Sequence, residues 1–181
     1  EALVRPVGGD VEPLLAESWE SNETGTEYTF KLKQGVKFHT GGEMKASDVV
    51  FSANRMLSMG EGFAYVYSNV IDKVEAIDDY TVKFTLKQPC GPFVTSLPRL
   101  SIMSEEAVMA NANPDGPYGE FGDYGRDWLV ANDAGTGPYV AKELVQQGHL
   151  YATKFADWHG EWDADAPESF KLIDNIEAST V

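Results

Sequence analysis

The sequence predicts an α+β fold, in which a mixed sheet is flanked by helices. Residues 26–33 and 81–87 alternate strictly between apolar and polar side chains, which is the pattern of a half-buried strand. Two other segments begin with helix-capping residues, at Ser47 and Ser104. The chain has 181 residues, of which 43% are apolar and 12% aromatic. A chain of this length and composition can bury a core.

The predicted strands begin at the N terminus. Residues 1–4 are predicted to be the end of a strand, and residues 13–19 come after a turn at residues 8–10. Along the two alternating segments, the apolar side chains fall on one face. We therefore expect six side chains to be buried in the sheet: Tyr28, Phe30, Leu32, Val82, Phe84 and Leu86.

Two hairpins are predicted. Residues 74–77 precede the second alternating strand across Asp78 and Asp79, a dipeptide typical of turns. Residues 139–144 and 150–155 form a second hairpin around residues 146–148.

Two helices are predicted, with a long irregular segment after them. Ser47 and Asp48 are candidate N-terminal caps for a helix over residues 49–57. A second helix starts at Ser104, where two glutamates occupy the first turn, and runs to residue 110. Residues 111–137 are rich in Gly, Asn, Asp and Pro, and a loop of this length is usually functional or is stabilised by a neighbouring domain.

Composition excludes several classes of function. The net charge of −15 argues against a nucleic-acid partner, because binding to phosphates needs clustered Lys and Arg. Cys90 is the single cysteine, so we expect no internal disulfide and no metal on its sulfur. No apolar run reaches the length of a membrane helix. The chain begins at Glu1 without a methionine, and we expect an upstream segment to have been removed.

No catalytic centre is indicated, so we predict a protein that is not an enzyme and needs no cofactor. His39, His149 and His159 lie far apart and outside any HExxH frame, and no serine stands in a G-x-S-x-G elbow. One alternative stays open, a secreted metal-dependent hydrolase that uses the acidic loop at residues 157–165. Carboxylates at alternate positions are typical of calcium loops, but the EF-hand order is not kept, which favours a solvated loop.

A series of motifs occurs in order along the chain: EPLLAESWE at residues 12–20, YTFKLKQGVKFH at 28–39, GGEMKASDVVFS at 41–52, VEAIDDYTV at 74–82, PCGPF at 89–93, GTGPYV at 135–140 and WHG at 158–160. Arg55 follows the third motif. In order and spacing, this series resembles the signature of family 5 of the bacterial extracellular solute-binding proteins, which includes dipeptide, oligopeptide and nickel binders. Lys33 and Thr40 depart from the family's usual Arg and Asp, and both are conservative changes of surface type.

The resemblance implies a role and an architecture. Family members are the ligand-capturing components of ABC importers, and their two lobes close around a peptide or another small solute. The present chain resembles part of lobe I of this periplasmic-binding-protein-like (class II, cluster C) fold, with lobe II absent. The implied division is residues 1–20 in the main part of lobe I, 21–134 in a small subdomain, and 135–181 returning to the main part.

The resemblance also implies partners and a location. The partners are a peptide or small-molecule ligand and the permease subunits of the importer. The location is periplasmic or extracellular, with a lipid anchor on an N-terminal segment missing here. A single lobe leaves most of a bound peptide exposed to solvent, so we expect the segment alone to bind no peptide with useful affinity. Its surfaces that pack against the rest of the protein would also be exposed, so we expect the segment alone to self-associate.

Five residues are candidate ligand contacts by resemblance. Glu1 and Leu3 match a strand that runs along the ligand groove in oligopeptide-binding relatives, with Ala2 in place of the usual Gly. Phe63, Tyr65 and Tyr67 follow the first predicted helix, where an aromatic residue contacts peptide in some relatives. Alternatively, these three aromatic side chains pack on the sheet of their own subdomain, because aromatic residues serve both cores and pockets.

Overall fold

The computed structural model describes residues 1–145 and 148–173, which form three small sheets and several helices. A two-stranded sheet pairs β1 with β2, a four-stranded sheet has the order β3-β4-β6-β5, and a three-stranded sheet has the order β7-β8-β9. The strands are β1 Val4–Val7, β2 Asp10–Pro13, β3 Ala16–Ser21, β4 Glu27–Leu32, β5 Ile71–Asp78, β6 Thr81–Leu86, β7 Tyr139–Val145, β8 His149–Lys154 and β9 Ser169–Ile173.

One long helix and four short ones accompany the sheets. The helices are α1 Ala46–Met59, α2 Ala64–Tyr67, α3 Phe93–Ser96, α4 Glu105–Ala110 and α5 Arg126–Leu129. In the part of the chain that the structure describes, no helix has the length and apolar character needed to cross a bilayer.

The predicted α+β class is confirmed, and the alternating strands pair with one another. In the register of β4 with β6, Phe30 lies opposite Val82 and Tyr28 opposite Phe84. Five of the six side chains expected in the core are buried, and Tyr28 is half-buried with its ring 4.9 Å from that of Phe93. Tyr28 packs at the margin of the cluster, where part of its ring still meets water.

Each strand pair in the described residues is antiparallel, where the sequence analysis expected a mixed sheet. Tight turns account for the pairs β1–β2, β3–β4 and β5–β6, because strands joined by a short turn run antiparallel, whereas β4–β6 and β8–β9 pair across longer segments. The hairpin expected at Asp78 is present, with the turn at Asp79 and Tyr80. The β7–β8 pairing is also present, although residues 146 and 147 of its expected turn lie outside the described part.

The N terminus of α1 differs from the prediction. The helix begins at Ala46, three residues before the expected start, and Lys45 occupies the capping position. Asp48 lies inside the first turn, and its Oδ2 accepts a hydrogen bond from the Lys45 backbone nitrogen at 2.8 Å. The carboxylate therefore caps the helix from within. The cap at Ser104 is confirmed, because its Oγ accepts a hydrogen bond from the Ala107 nitrogen at 3.2 Å.

Within residues 111–137, expected to be irregular, residues 113–127 fold around one carboxylate. Asp123 is buried, and its Oδ1 accepts hydrogen bonds from the backbone nitrogens of Asn113 and Gly125, each at 2.8 Å. At Gly122, where φ is 57°, an added Cβ would lie 2.1 Å from the Asn113 carbonyl oxygen. Only glycine fits there, since other residues would be strained as well as clashing. A second small core of Phe51, Val108, Tyr124 and Ala134 supports this loop.

Candidate functional site

A cavity of about 280 Å³ lies against one side of α1 and is the candidate functional site. Helix α1 supplies one wall, the turn that follows it supplies the second, and residues 99–103 supply the third, with α5 at the rim. The wall is largely apolar with a few charged groups, which is the usual character of a small-ligand site. The cavity is lined by Ser52, Arg55, Met56, Met59, Glu61, Gly62, Phe63, Arg99, Leu100, Ser101, Met103 and Arg126.

Buried polar contacts hold the cavity walls together. The Ser52 Oγ on α1 accepts a hydrogen bond from the Met103 backbone nitrogen at 3.0 Å and donates to the Asp48 carbonyl oxygen at 2.7 Å. Asp48 also accepts from the Glu105 nitrogen at 2.9 Å. Because Ser52 and Asp48 are both buried, the bonds to Met103 and Glu105 fix the spacing between α1 and residues 103–105.

Three arginines give the cavity its charge. The Arg55 Nε donates to the Tyr124 carbonyl oxygen at 2.8 Å, and burial lowers the pKa of its guanidinium, which still stays charged at neutral pH. Arg126 forms a salt bridge with Glu61 at 3.0 Å. The guanidinium carbon of Arg99 lies 5.8 Å from the centre of the Phe63 ring, within cation–π range.

The three aromatic candidates separate into two environments. Phe63 lines the cavity and is 45% exposed, and Tyr65 is 73% exposed with its ring 6.4 Å from Phe63. Tyr67 is fully buried, and its hydroxyl donates to the Ser96 carbonyl oxygen at 2.7 Å. Burial raises the pKa of Tyr67. The packing interpretation therefore applies to Tyr67, while Phe63 and Tyr65 remain available to a ligand.

Leu3, a predicted groove-edge residue, lies in the core. Its side chain is 0% exposed, and its carbonyl oxygen accepts hydrogen bonds from the backbone nitrogens of Leu14 and Ala16. Ala2 and Val4 on either side of it are also buried, so this whole N-terminal segment lies inside the protein. In the described part of the chain, the Leu3 side chain has no surface to offer a ligand.

Glu1 is engaged by its own chain. Its carboxylate accepts hydrogen bonds from Thr136 Oγ1 at 3.1 Å, from Trp158 Nε1 at 3.2 Å and from His159 Nε2 at 2.7 Å. Burial opposes ionisation, but the bonds from His159 and Trp158 outweigh it and lower the pKa of Glu1. The Glu1 carbonyl oxygen accepts from the Ile102 nitrogen at 2.8 Å. Residues 99–103 thus connect Glu1 to the cavity that Phe63 lines.

A partly buried ion pair lies at the GTGPYV motif. The His39 Nδ1 is 2.7 Å from Asp133 Oδ2, and its Nε2 is 2.7 Å from the Gly137 carbonyl oxygen. Both neighbours are acceptors, so only the doubly protonated imidazolium satisfies them. Burial lowers the pKa of His39, but the bonds to Asp133 and Gly137 outweigh it and raise the pKa above 6.5. The same contact lowers the pKa of Asp133 against the opposing effect of burial.

The acidic loop has no metal centre within residues 1–145 and 148–173. No group of three or more His, Cys, Asp or Glu side chains in this part of the chain is arranged to hold a metal ion. Asp157 pairs with Lys37 at 3.3 Å, and His159 with Glu1, so these side chains are engaged within the fold. The hydrolase alternative has no support in this geometry. Cys90 is a half-buried free thiol.

Sequence reasoning missed the arginines of the cavity. Arg99 and Arg126 belong to no motif, and no periodicity in the sequence between them indicates that they lie close together in the fold. A signal was nevertheless available, because the chain has only four arginines and three of them line this cavity. Scarcity alone could have singled them out, but only the fold shows that they meet.

The comparisons with known proteins agree with this architecture. The model of "Bacterial extracellular solute-binding proteins, family 5 Middle" matches residues 10–181. The di/tripeptide-binding protein 1 of Pseudomonas aeruginosa is 37% identical, covering 93% of this chain and 32% of the relative. The di/tripeptide-binding protein 2 of the same organism is 34% identical, covering 88% of this chain and 32% of the relative.

A solved structure shares the fold. The periplasmic binding protein DppA of Helicobacter pylori, in complex with the peptide STSA, superposes with a TM-score of 0.72 at 29% identity. The match covers 88% of this chain and 34% of DppA. The chain thus spans about one third of the length of such relatives.

Proposed function

Because this chain belongs to the bacterial extracellular solute-binding proteins of family 5, we propose that the protein containing it is the solute-binding component of an ABC importer. It captures a peptide or a similar small solute outside the cytoplasmic membrane and delivers it to the permease. The observation that carries the proposal is the open, largely apolar cavity beside Phe63, in a family of binding proteins. A cavity lined in this way is suited to binding a small ligand rather than to catalysis.

The proposed mechanism is capture by closure. Phe63, Tyr65 and the cavity beside them form one wall of the ligand groove, and the second wall belongs to the remaining length of the protein. A ligand that contacts both walls favours the closed form over the open form by its difference in affinity for the two. Glu1 contributes by holding residues 99–103 and residues 158–159 in place. Attachment to the membrane by a lipid stays a prediction.

We also propose a division of the chain into parts of lobe I. Residues 135–181 belong to the main part, and the separate three-stranded sheet of β7, β8 and β9 supports this boundary. Strand β3, Ala16–Ser21, runs across the boundary expected after residue 20 and pairs with β4. We therefore propose that the main part includes residues 1–15 and that the small subdomain spans residues 16–134. Residues 174–181 lie outside the described part.

The proposal predicts binding by the whole protein and not by this segment. Isothermal titration of the full-length protein against a library of di- to pentapeptides should yield micromolar or tighter ligands. Residues 1–181 alone should show no saturable binding to the same ligands. One wall leaves much of the ligand exposed to solvent, and its contacts do not offset the translational and rotational entropy that the ligand loses on binding. Micromolar binding by the segment alone would place the entire ligand site here and contradict the two-wall mechanism.

The segment alone is also expected to self-associate. Strands β7 and β9 expose apolar side chains, with Leu172 62% and Ile173 58% exposed on the last strand. Exposed apolar strands favour pairing with other chains. Sedimentation velocity of residues 1–181 should show a mass that rises with concentration, and the Leu172→Lys variant should reduce this rise. A monomer at all concentrations would show that the surface needs no partner.

A further inference from the structure

The cavity beside α1 reverses the sign of charge that the rest of the chain carries. The protein has 14 basic and 29 acidic residues and a net charge of −15. Its cavity, however, is lined by three arginines and a single acid, Glu61. Arg126 pairs with Glu61 at 3.0 Å, and the carboxylates of Asp123 and Glu61 favour the charged form of Arg55, which leaves Arg99 as the guanidinium without an acidic partner among the described residues. An acidic protein that collects its few arginines in one cavity has a local field that attracts anions.

Arg99 is the guanidinium best placed to meet a ligand. Arg55 is half-buried and bound to the Tyr124 carbonyl oxygen. Arg99 is exposed, and among the described residues it forms no salt bridge and no hydrogen bond. Its contact in the structure is the face of the Phe63 ring, 5.8 Å away, which steadies the guanidinium and leaves its donors free.

The remaining lining suits an apolar group. Three methionines, Met56, Met59 and Met103, line the cavity together with Leu100 and Phe63. Methionine side chains are flexible and polarisable, so a wall of this kind adapts to apolar groups of different shapes. A ligand that fills the cavity and reaches Arg99 therefore needs an apolar body with an anionic group attached.

We propose that this cavity selects ligands that carry a carboxylate on an apolar body, with Arg99 binding the carboxylate. The planar guanidinium matches a carboxylate with two parallel hydrogen bonds, which gives geometry as well as charge. The inference rests on the proposed solute-binding function and adds the class of solute. Arg99 is a specificity-determining residue in this assignment, and the methionine wall holds the apolar body.

The test compares an acid with its neutral amide. Saturation-transfer difference NMR on the full-length protein measures the binding of 3-phenylpropionate and of 3-phenylpropanamide, which have the same ring and chain length. We expect the acid to bind about tenfold more tightly than the amide, as a charge-assisted hydrogen bond implies. Arg99→Gln should abolish this preference. Arg99→Lys should retain part of it, because lysine keeps the positive charge but lacks the two parallel N–H donors of the guanidinium.

Arg5→Gln is the matched control. Arg5 is an exposed arginine on β1, paired with Glu12 of β2, and it does not line the cavity. This variant should keep the full preference for the acid. Circular dichroism melting of each variant shows that the fold is retained, which is expected because both side chains are exposed.

Two results of the comparison between acid and amide would overturn the proposal. One is equal binding of acid and amide, including the absence of binding by both, and the other is a preference that survives Arg99→Gln. Failure of the solute-binding function gives a different pattern. In that case no peptide of the library binds the full-length protein, whatever the acid and the amide do. A library ligand whose affinity is unchanged by Arg99→Gln would leave the solute-binding function standing and reject the role of Arg99.

Discussion

Replacing Asp133 with asparagine should lower the free energy of unfolding by about 2 kcal/mol, since removing the carboxylate of a partly buried ion pair leaves the buried imidazolium without its counter-charge, at less than the cost of a fully buried pair. The side chain of His39 is 4% exposed and that of Asp133 is 25% exposed. Asp133 also accepts from the Gly135 nitrogen at 2.8 Å, so the pair ties residue 39 to the GTGPYV motif. Asparagine keeps the shape of this contact and removes the charge that holds the imidazolium.

The loss should depend on pH in a defined direction. The pKa of His39 is raised in the folded protein, so its contribution is complete below pH 6.5 and is lost as pH rises through the folded pKa. The pKa of Asp133 is lowered, so its contribution is present above pH 3.8 and is lost as pH falls through the folded pKa. The difference between wild type and Asp133→Asn should therefore be largest between these two values and shrink at alkaline pH.

Urea unfolding at a series of pH values measures this difference. The matched control is Asp115→Asn, the same change at an exposed carboxylate, which should alter stability by less than about 0.5 kcal/mol. If Asp133→Asn costs no more than its control, or costs most at alkaline pH, His39 is not held as an imidazolium.

Replacing Phe84 with alanine should lower the free energy of unfolding by about 4 kcal/mol, because it leaves a large cavity in the core. The Phe84 side chain is 0% exposed on β6. Its ring centre lies 5.6 Å from that of Phe30 and 5.5 Å from that of Phe93. The change therefore removes contacts with both the sheet and helix α3.

Phe63→Ala is the matched control for the same truncation. Phe63 is 45% exposed at the cavity, so its loss should cost about 1 kcal/mol or less. Urea unfolding monitored by circular dichroism measures both variants. Equal costs for the two would mean that the face of β6 carrying Phe84 is not the centre of the core.

Alternation of apolar and polar residues and helix-capping residues predicted those strands and helices whose stability depends on residues close together in the sequence. The alternation in β4 and β6 identified both strands and five buried side chains, because only one register of a half-buried strand puts its apolar residues inside. The cap at Ser104 was predicted for a similar reason. The start of α1 was missed because Asp48 caps the helix from its first turn. Strand β9 was not predicted, although residues 169–172 alternate between polar and apolar side chains, and its partner lies in β8.

The sequence by itself determined the α+β class, the family and the absence of a recognisable catalytic motif. The fold class, the family and the absence of such a motif depend on periodicity, capping residues and the order of motifs. All of these are visible in the linear sequence, because they involve residues close together in the chain or the order in which motifs occur. Only the tertiary structure decided that Tyr67 and Leu3 are buried, that His39 meets Asp133, and that three arginines share one cavity. Such contacts join residues tens of positions apart. Their energies depend on distance and burial, and the chain acquires both only when it folds.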